Sequence, residues 1–117
     1  MKILVLDYPR VDEHCTEWER LSRCGTVTRY TGTTLPQLLE RGRAAEVIIT
    51  WSFPVRREIL DYLTSVRTII VPGNRRDELV ETVIAEQLGI TVLTVTGTAG
   101  ERCRWIDDAA KLLEVSE

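Results

Sequence analysis

A change of hydrophobic period, repeated five times, constrains this chain more than any other feature. Each time, a short run rich in β-branched residues gives way to a turn of Gly, Pro, Thr or Asn, and then to apolar residues at helical spacing. The runs are KILVLD (2–7), TVTRY (26–30), EVIITW (46–51), RTIIVP (67–72) and ITVLTV (90–95). Four are nearly continuous apolar stretches, as strands covered on both faces must be. The second alternates Val27 with Thr26, Thr28 and Arg29, which marks a sheet edge. Five βα units in 117 residues predict an α/β fold: a flavodoxin-like (βα)5 three-layer sandwich whose parallel five-stranded sheet has the order 2-1-3-4-5. With 44% apolar residues and no linker or low-complexity tract, residues 1–117 are expected to form one domain.

The intervening helices carry their own start signals. Thr34 with Gln37 forms a capping box with Pro36 in the first turn, and Asn74 with Asp77 imitates it. Apolar faces are expected at Val11, Cys15, Trp18 and Leu21, at Val55, Ile59, Leu60 and Leu63, and at Leu79, Val80, Val83, Ile84 and Leu88. Gly25 and Gly89 stand where left-handed helix ends want glycine.

Charge and cysteine usage narrow the partners. Fifteen basic residues scattered among 18 acidic ones, for a formal charge of −3, make no single-sign field, so neither nucleic acid nor a membrane surface is an expected partner. Cys15, Cys24 and Cys103 are odd in number, widely spaced and without CxxC, which suits reduced, structural thiols and no metal site. MKILVLD reaches an aspartate by position 7, too soon for a secretory segment or a span, and a cytoplasmic protein is expected.

Ligands of such sheets sit beyond the carboxyl ends of the strands, near the point where strand order reverses. The loops there are DYPR, TWSFP, VPGNRR and TVTGTAG. In IIVPGNRR (69–76), Gly73 lets a ligand approach the backbone, Asn74 caps a helix, and Arg75 and Arg76 offer guanidinium forks; together they describe a carboxylate or phosphate site. Asp77 and Glu78 are alternative partners for those arginines. Tyr8, Trp51 and Phe53 are candidates for the apolar wall of the same small-molecule pocket, or for plugs at the domain's end. His14 lies among Asp12, Glu13 and Cys15, but consecutive helical residues diverge, which argues against a joint metal site. Asp7 ends the first strand as receiver aspartates do, yet Thr50 and Thr96 stand where that chemistry needs a phosphoacceptor and a lysine.

In order and spacing, MKILVLD, AAEVIITWSFPVRREILDYLTSVRTIIVPG and EQLGITVLTVTGT resemble the amino-terminal substrate-binding domain of the D-isomer-specific 2-hydroxyacid dehydrogenases over roughly residues 1–105. The resemblance implies that backbone amides around Gly73 and Asn74 bind a substrate carboxylate. It also implies a second, nucleotide-binding domain carrying the glycine-rich loop and the catalytic residues, and no match to that domain occurs here. GTAG (97–100) has the wrong spacing for a dinucleotide loop, so no cofactor is expected on this chain. The charged last segment, GERCRWIDDAAKLLEVSE, reads as a surface helix of a domain that stands alone, with Trp105 on or beside its apolar stripe as a surface for a homodimer. Three functions fit: binding of a small carboxylate; cofactor-independent chemistry on an acid through Asp7, Tyr8, His14 or the arginines; or the substrate-binding subunit of a split NAD-dependent dehydrogenase. No catalytic residue is assigned.

Overall fold

The computed structural model describes residues 1–73, 75–95 and 103–115. Strands β1 (Lys2–Leu6), β2 (Thr26–Tyr30), β3 (Val47–Thr50), β4 (Thr68–Pro72) and β5 (Thr91–Val95) form one sheet in the expected order, β2-β1-β3-β4-β5. Every pairing is parallel, with Ile3 between Val27 and Val47, and Ile69 between Ile48 and Val92. The flanking helices complete a flavodoxin-like three-layer arrangement. As its alternation predicts, β2 is an edge strand without one fully buried residue.

Successive strand residues point to opposite faces, so the sheet divides its apolar side chains between two cores. Leu4, Leu6, Ile48, Ile69 and Val71 meet Leu38, Leu60, Leu63, Leu79 and Ala85 on one side. Ile3, Val5, Val47, Ile49 and Ile70 meet Trp18, Leu21, Trp105, Ile106 and Ala109 on the other. The first core lies under α2 (Leu35–Arg41), α3 (Arg57–Leu60), α4 (Arg76–Leu79) and α5 (Thr82–Gln87). The second lies under α1 (Trp18–Cys24) and α6 (Arg104–Val115), which also pack on each other.

The helices are shorter than their apolar faces predict. Between β1 and α1 only a 3-10 turn forms, at Arg10–Asp12, and Val11 is exposed there. After β4 one expected helix becomes two, because Val80 takes an extended conformation and bridges Val55 in parallel. The Val55 N–H donates to Leu79 O at 2.6 Å and the Glu81 N–H to Val55 O at 3.3 Å, bonds an unbroken helix would forgo. The break turns Val83 and Leu88 outward, against expectation. The Thr34–Gln37 capping box forms in full. Gly89 has the expected positive φ of 81°, but Gly25 is extended, and a side chain there would collide with the Met1 carbonyl. The first residue of α4 is preceded by Arg75 without a side-chain cap, and Asn74 lies outside the described residues.

Two expectations are overturned outright. Cys15 and Cys103 form a disulfide across 88 residues, so the cysteine pattern does not argue for a reducing compartment. Both residues lie just ahead of neighbouring helices, and spacing along the chain carries no trace of that proximity. Trp105 is only 2% exposed, held between Trp18 and Trp51, which removes it as a surface for a homodimer. The stripe of Ile106, Ala109, Ala110 and Leu113 is buried as its spacing predicts. No described helix is long and apolar enough to cross a membrane.

Candidate functional site

The order reverses between β1 and β3, and the residues that end these two strands are the most unusual in the sheet. Asp7 follows β1 with φ of 55°, a left-handed conformation that aspartate tolerates better than most residues. Its N–H donates to Tyr30 O at 2.8 Å, which fixes the bend against the neighbouring strand. The carboxylate is poorly provided for. Oδ2 accepts a long bond of 3.4 Å from the Ser52 hydroxyl, and Oδ1 is buried without a hydrogen-bond partner among the described residues. Burial pushes this carboxyl above the usual aspartate value, and the contacts with Ser52 and the Thr33 backbone only partly oppose the rise.

The loop after β3 is shaped by Thr50, which is fully buried. Its hydroxyl donates to Phe53 O at 2.9 Å and accepts from the Phe53 N–H at 3.0 Å, closing a tight turn. That turn splits the two aromatic candidates between faces of the sheet. Trp51 packs edge-on against Trp105 with 5.4 Å between rings, while Phe53 leans on the opposite core. The buried Trp51 Nε1 has no partner among the described residues. An orphaned donor and an orphaned acceptor thus sit at adjacent strand ends, where burial without a partner costs about 1–3 kcal/mol each.

At the end of β4, Gly73 has φ of 87°, and no described atom lies within 4 Å of where a side chain would begin. The conformation favours glycine there, and among the described residues its flank is open. The Gly73 N–H is engaged by Val95 O at 2.9 Å. Arg75 pairs with Glu78 at 3.1 Å on the surface. Arg76 pairs with Asp77 at 3.4 Å and donates to Val92 O on β5 at 3.3 Å. Asn74 and the loop after β5, including Thr96, lie outside the described residues.

Tyr8 is 5% exposed and edge-on to Trp18 at 5.3 Å, with the Arg29 guanidinium 5.9 Å from its ring. It serves the aromatic core. His14 is exposed. Asp12, by contrast, is only 4% exposed and collects both neighbouring indoles, since Trp18 Nε1 donates to its carbonyl at 2.8 Å and Trp105 Nε1 to its Oδ2 at 3.0 Å. The carboxylate also lies near Cys15 and Cys103. No local pattern in the sequence announces that role, because two of its neighbours come from the far end of the chain.

Concavity and chemistry part company in this molecule. An open cleft of about 340 Å³ runs beside β2, lined by Lys2, Thr28, Tyr30 and Arg41, and a larger one of about 660 Å³ lies by Pro36, Arg43 and Tyr62. Neither contains a buried polar atom lacking a partner, whereas the strand ends contain two. We therefore place the candidate site at the strand ends.

No family profile matches the chain. It is 34% identical over 97 residues to a Haemophilus influenzae protein assigned as a 2-hydroxyacid dehydrogenase, an alignment covering 83% of this chain and 30% of that protein. A Ralstonia solanacearum structure assigned as a D-3-phosphoglycerate dehydrogenase superimposes with a TM-score of 0.72 at 25% identity, over 84% of this chain and 30% of the other. The NAD+-bound 3-phosphoglycerate dehydrogenase of Entamoeba histolytica shares the fold, with a TM-score of 0.68 at 22% identity, over 80% and 32% of the two chains. Strand order and sequence identity converge: the chain is a homologue of the substrate-binding domain of the D-2-hydroxyacid dehydrogenases, spanning about 30% of the length of the relatives it matches.

Proposed function

We propose that this chain binds a small carboxylate-bearing molecule at the carboxyl ends of its strands. The observation that carries the reading is Gly73, held open in a left-handed conformation at the end of β4 in a homologue of 2-hydroxyacid dehydrogenases. The anion lies along that open flank; Arg75 and Arg76 are its proposed polar contacts, with Asn74, which lies outside the described residues, a third. Arg75 is the clamp, because its pair with Glu78 is exposed, worth little, and readily exchanged for a ligand carboxylate. Arg76 is tied to β5 and sets the loop's position. Trp51 and Phe53 border the apolar part of the ligand from either face, and Tyr8 supports Trp18 behind them.

The residues present do not fit a nucleotide cofactor. The turn after β1, YPRVDE, lacks the glycines that let backbone approach a pyrophosphate, and it carries acidic side chains instead. Hydride transfer, if this protein takes part in it, draws on a nucleotide-binding partner domain or subunit, in keeping with relatives about three times as long. A second reading rests on Asp7. A half-buried carboxyl with a raised pKa and an oxygen lacking a partner among the described residues is equipped to move a proton on a bound acid without a cofactor.

Calorimetric titration with a panel of 2-hydroxy and 2-oxo acids tests the binding reading. Arg75→Ala is expected to cost about 1.5–3 kcal/mol of affinity, the worth of a hydrogen bond to a charged group, and Arg76→Ala far less. Gly73→Val is expected to abolish binding, with circular dichroism confirming the fold. Unchanged affinity in all three variants would place the ligand elsewhere.

A further inference from the structure

We propose that Asp12, Cys15 and Cys103 form a thiolate–carboxylate site for a zinc-like divalent cation, closed in the disulfide form and opened by reduction. One ligand atom from each residue lies within 4.8 Å of the others. Zinc binds thiolate sulfur at about 2.3 Å and carboxylate oxygen at about 2.0–2.2 Å, so three such atoms around one ion stand roughly 3.5–3.8 Å apart. Bringing them to that spacing requires the two sulfurs to part, which reduction permits, and small side-chain rotations.

A second, independent feature points the same way. Asp12 is more than nine-tenths buried, and its Oδ1 has no hydrogen-bond partner among the described residues. Buried carboxylates are rarely left half-satisfied. The same carboxylate has an oxygen within 4.8 Å of the two sulfurs, while Oδ2 is held by Trp105 Nε1 and the Asp12 carbonyl by Trp18 Nε1. An indole that fixes one carboxylate oxygen and leaves the other for a metal is the outer-shell arrangement that ligating carboxylates use. Cys15 and Cys103 are both half-buried, which gives the ion a way in. Two thiolates and one carboxylate fill three of four tetrahedral positions, so the fourth remains for water or an incoming ligand.

The chemistry balances with a dithiol as reductant. The dithiol is oxidised to its own disulfide, and its two electrons and two protons convert the Cys15–Cys103 bond into two thiols. The cation then displaces both thiol protons to solvent and binds the thiolates. The disulfide and metal states exclude each other, because both use the same two sulfurs.

The test uses the full chain and cobalt(II) as the probe. After reduction by a phosphine, the protein is expected to take up one cobalt per chain, with thiolate-to-metal charge-transfer bands and the strong ligand-field bands of a tetrahedral ion, and zinc should displace it. Cys15→Ser should remove the charge-transfer bands, and Cys24→Ser should keep them. Asp12→Asn, which preserves the acceptor for Trp105, should weaken binding by about tenfold or more, at least the scale of outer-shell changes. The oxidised protein should bind no cobalt. Absence of the bands after reduction, their survival in Cys15→Ser, unchanged affinity in Asp12→Asn, or binding by the oxidised protein would each overturn the site. Should Cys15→Ser fail to fold, Asp12→Asn and the oxidised protein decide the matter.

Discussion

The two faces of the sheet solve the same burial problem with different materials. Under α2 to α5 the core is aliphatic, built from Leu, Ile and Val, and its covering helices are fragments of four to seven residues joined by backbone bonds such as those between Val55, Leu79 and Glu81. Under α1 and α6 the core adds a cluster of aromatic rings to its aliphatic residues. Trp18, Trp51 and Trp105 meet edge to face at 5.4 Å, Asp12 accepts two indole N–H groups, the Cys15–Cys103 disulfide joins the approaches to both helices, and Arg20 bridges Asp107 and Glu114. The aliphatic face relies on shape and area, which tolerate redistribution among neighbours. The aromatic face relies on directed contacts, which fail singly and at high cost.

The largest expected effect separates the faces most sharply. Trp105→Ala removes a ring that touches two others and strips Asp12 of its indole donor, so it should cost about 3–5 kcal/mol in urea unfolding. A cost below about 2 kcal/mol would mean that the ring cluster is no stiffer than the aliphatic core.

A matched pair comes next. Ile69 and Ile70 are adjacent on β4, fully buried, and point to opposite faces. Ile→Val at either should cost about 0.5–1.5 kcal/mol, and the two values should agree, because methyl-scale packing is equally dense on both sides. A clear gap between them would place the difference in packing itself and not in the directed contacts.

A smaller effect concerns pH. The Arg20 guanidinium holds the Asp107 and Glu114 carboxyls below their usual values of 3.8 and 4.5. A depressed folded-state value means that their contribution is fully present above those ordinary values and is lost as pH falls through the lower, folded ones. Arg20→Gln should therefore flatten the acid limb of stability below roughly pH 4.5 and change little near neutrality, as exposed pairs are weak. Denaturant midpoints at intervals from pH 6 to pH 2 would show it.

Asp7 should give the smallest effect, of opposite sign. Its folded value is raised, so its contribution is greatest below the ordinary 3.8 and falls as pH rises through the folded value. Asp7→Asn should raise the unfolding midpoint slightly at pH 7 and not at pH 3. The same substitution should abolish turnover if Asp7 moves a proton, and leave carboxylate binding nearly intact.

Strand order was legible in the sequence because it rests on period and on near-continuous apolar runs, which the chain writes locally in residues such as Ile48, Ile49, Ile69 and Ile70. Helix extent was not. Val80 reads as one more apolar position on a helical face, and only its long-range bridge to Val55 shows that it ends one helix before the next begins. Of the site, Gly73 was legible as a glycine at a strand end, but Ser52 and Thr50 were not, since a hydroxyl that shapes a turn leaves no periodic mark. The cluster of Asp12, Cys15 and Cys103 was beyond reach for a different reason: it exists only once α6 lies beside α1.

That neighbourhood bears on how the molecule comes into being on the ribosome. The sheet grows from β1 and β2 outward through β3, β4 and β5 in the order of translation, each new strand finding an edge already made. The aromatic face does not follow this schedule. Tyr8, Trp18 and Leu21 precede β2, and their cover, Trp105 through Leu113, follows β5. While β2 to β5 are being made, the nascent chain therefore carries this patch of rings without its cover, a transiently exposed apolar surface of the kind that invites aggregation and chaperones.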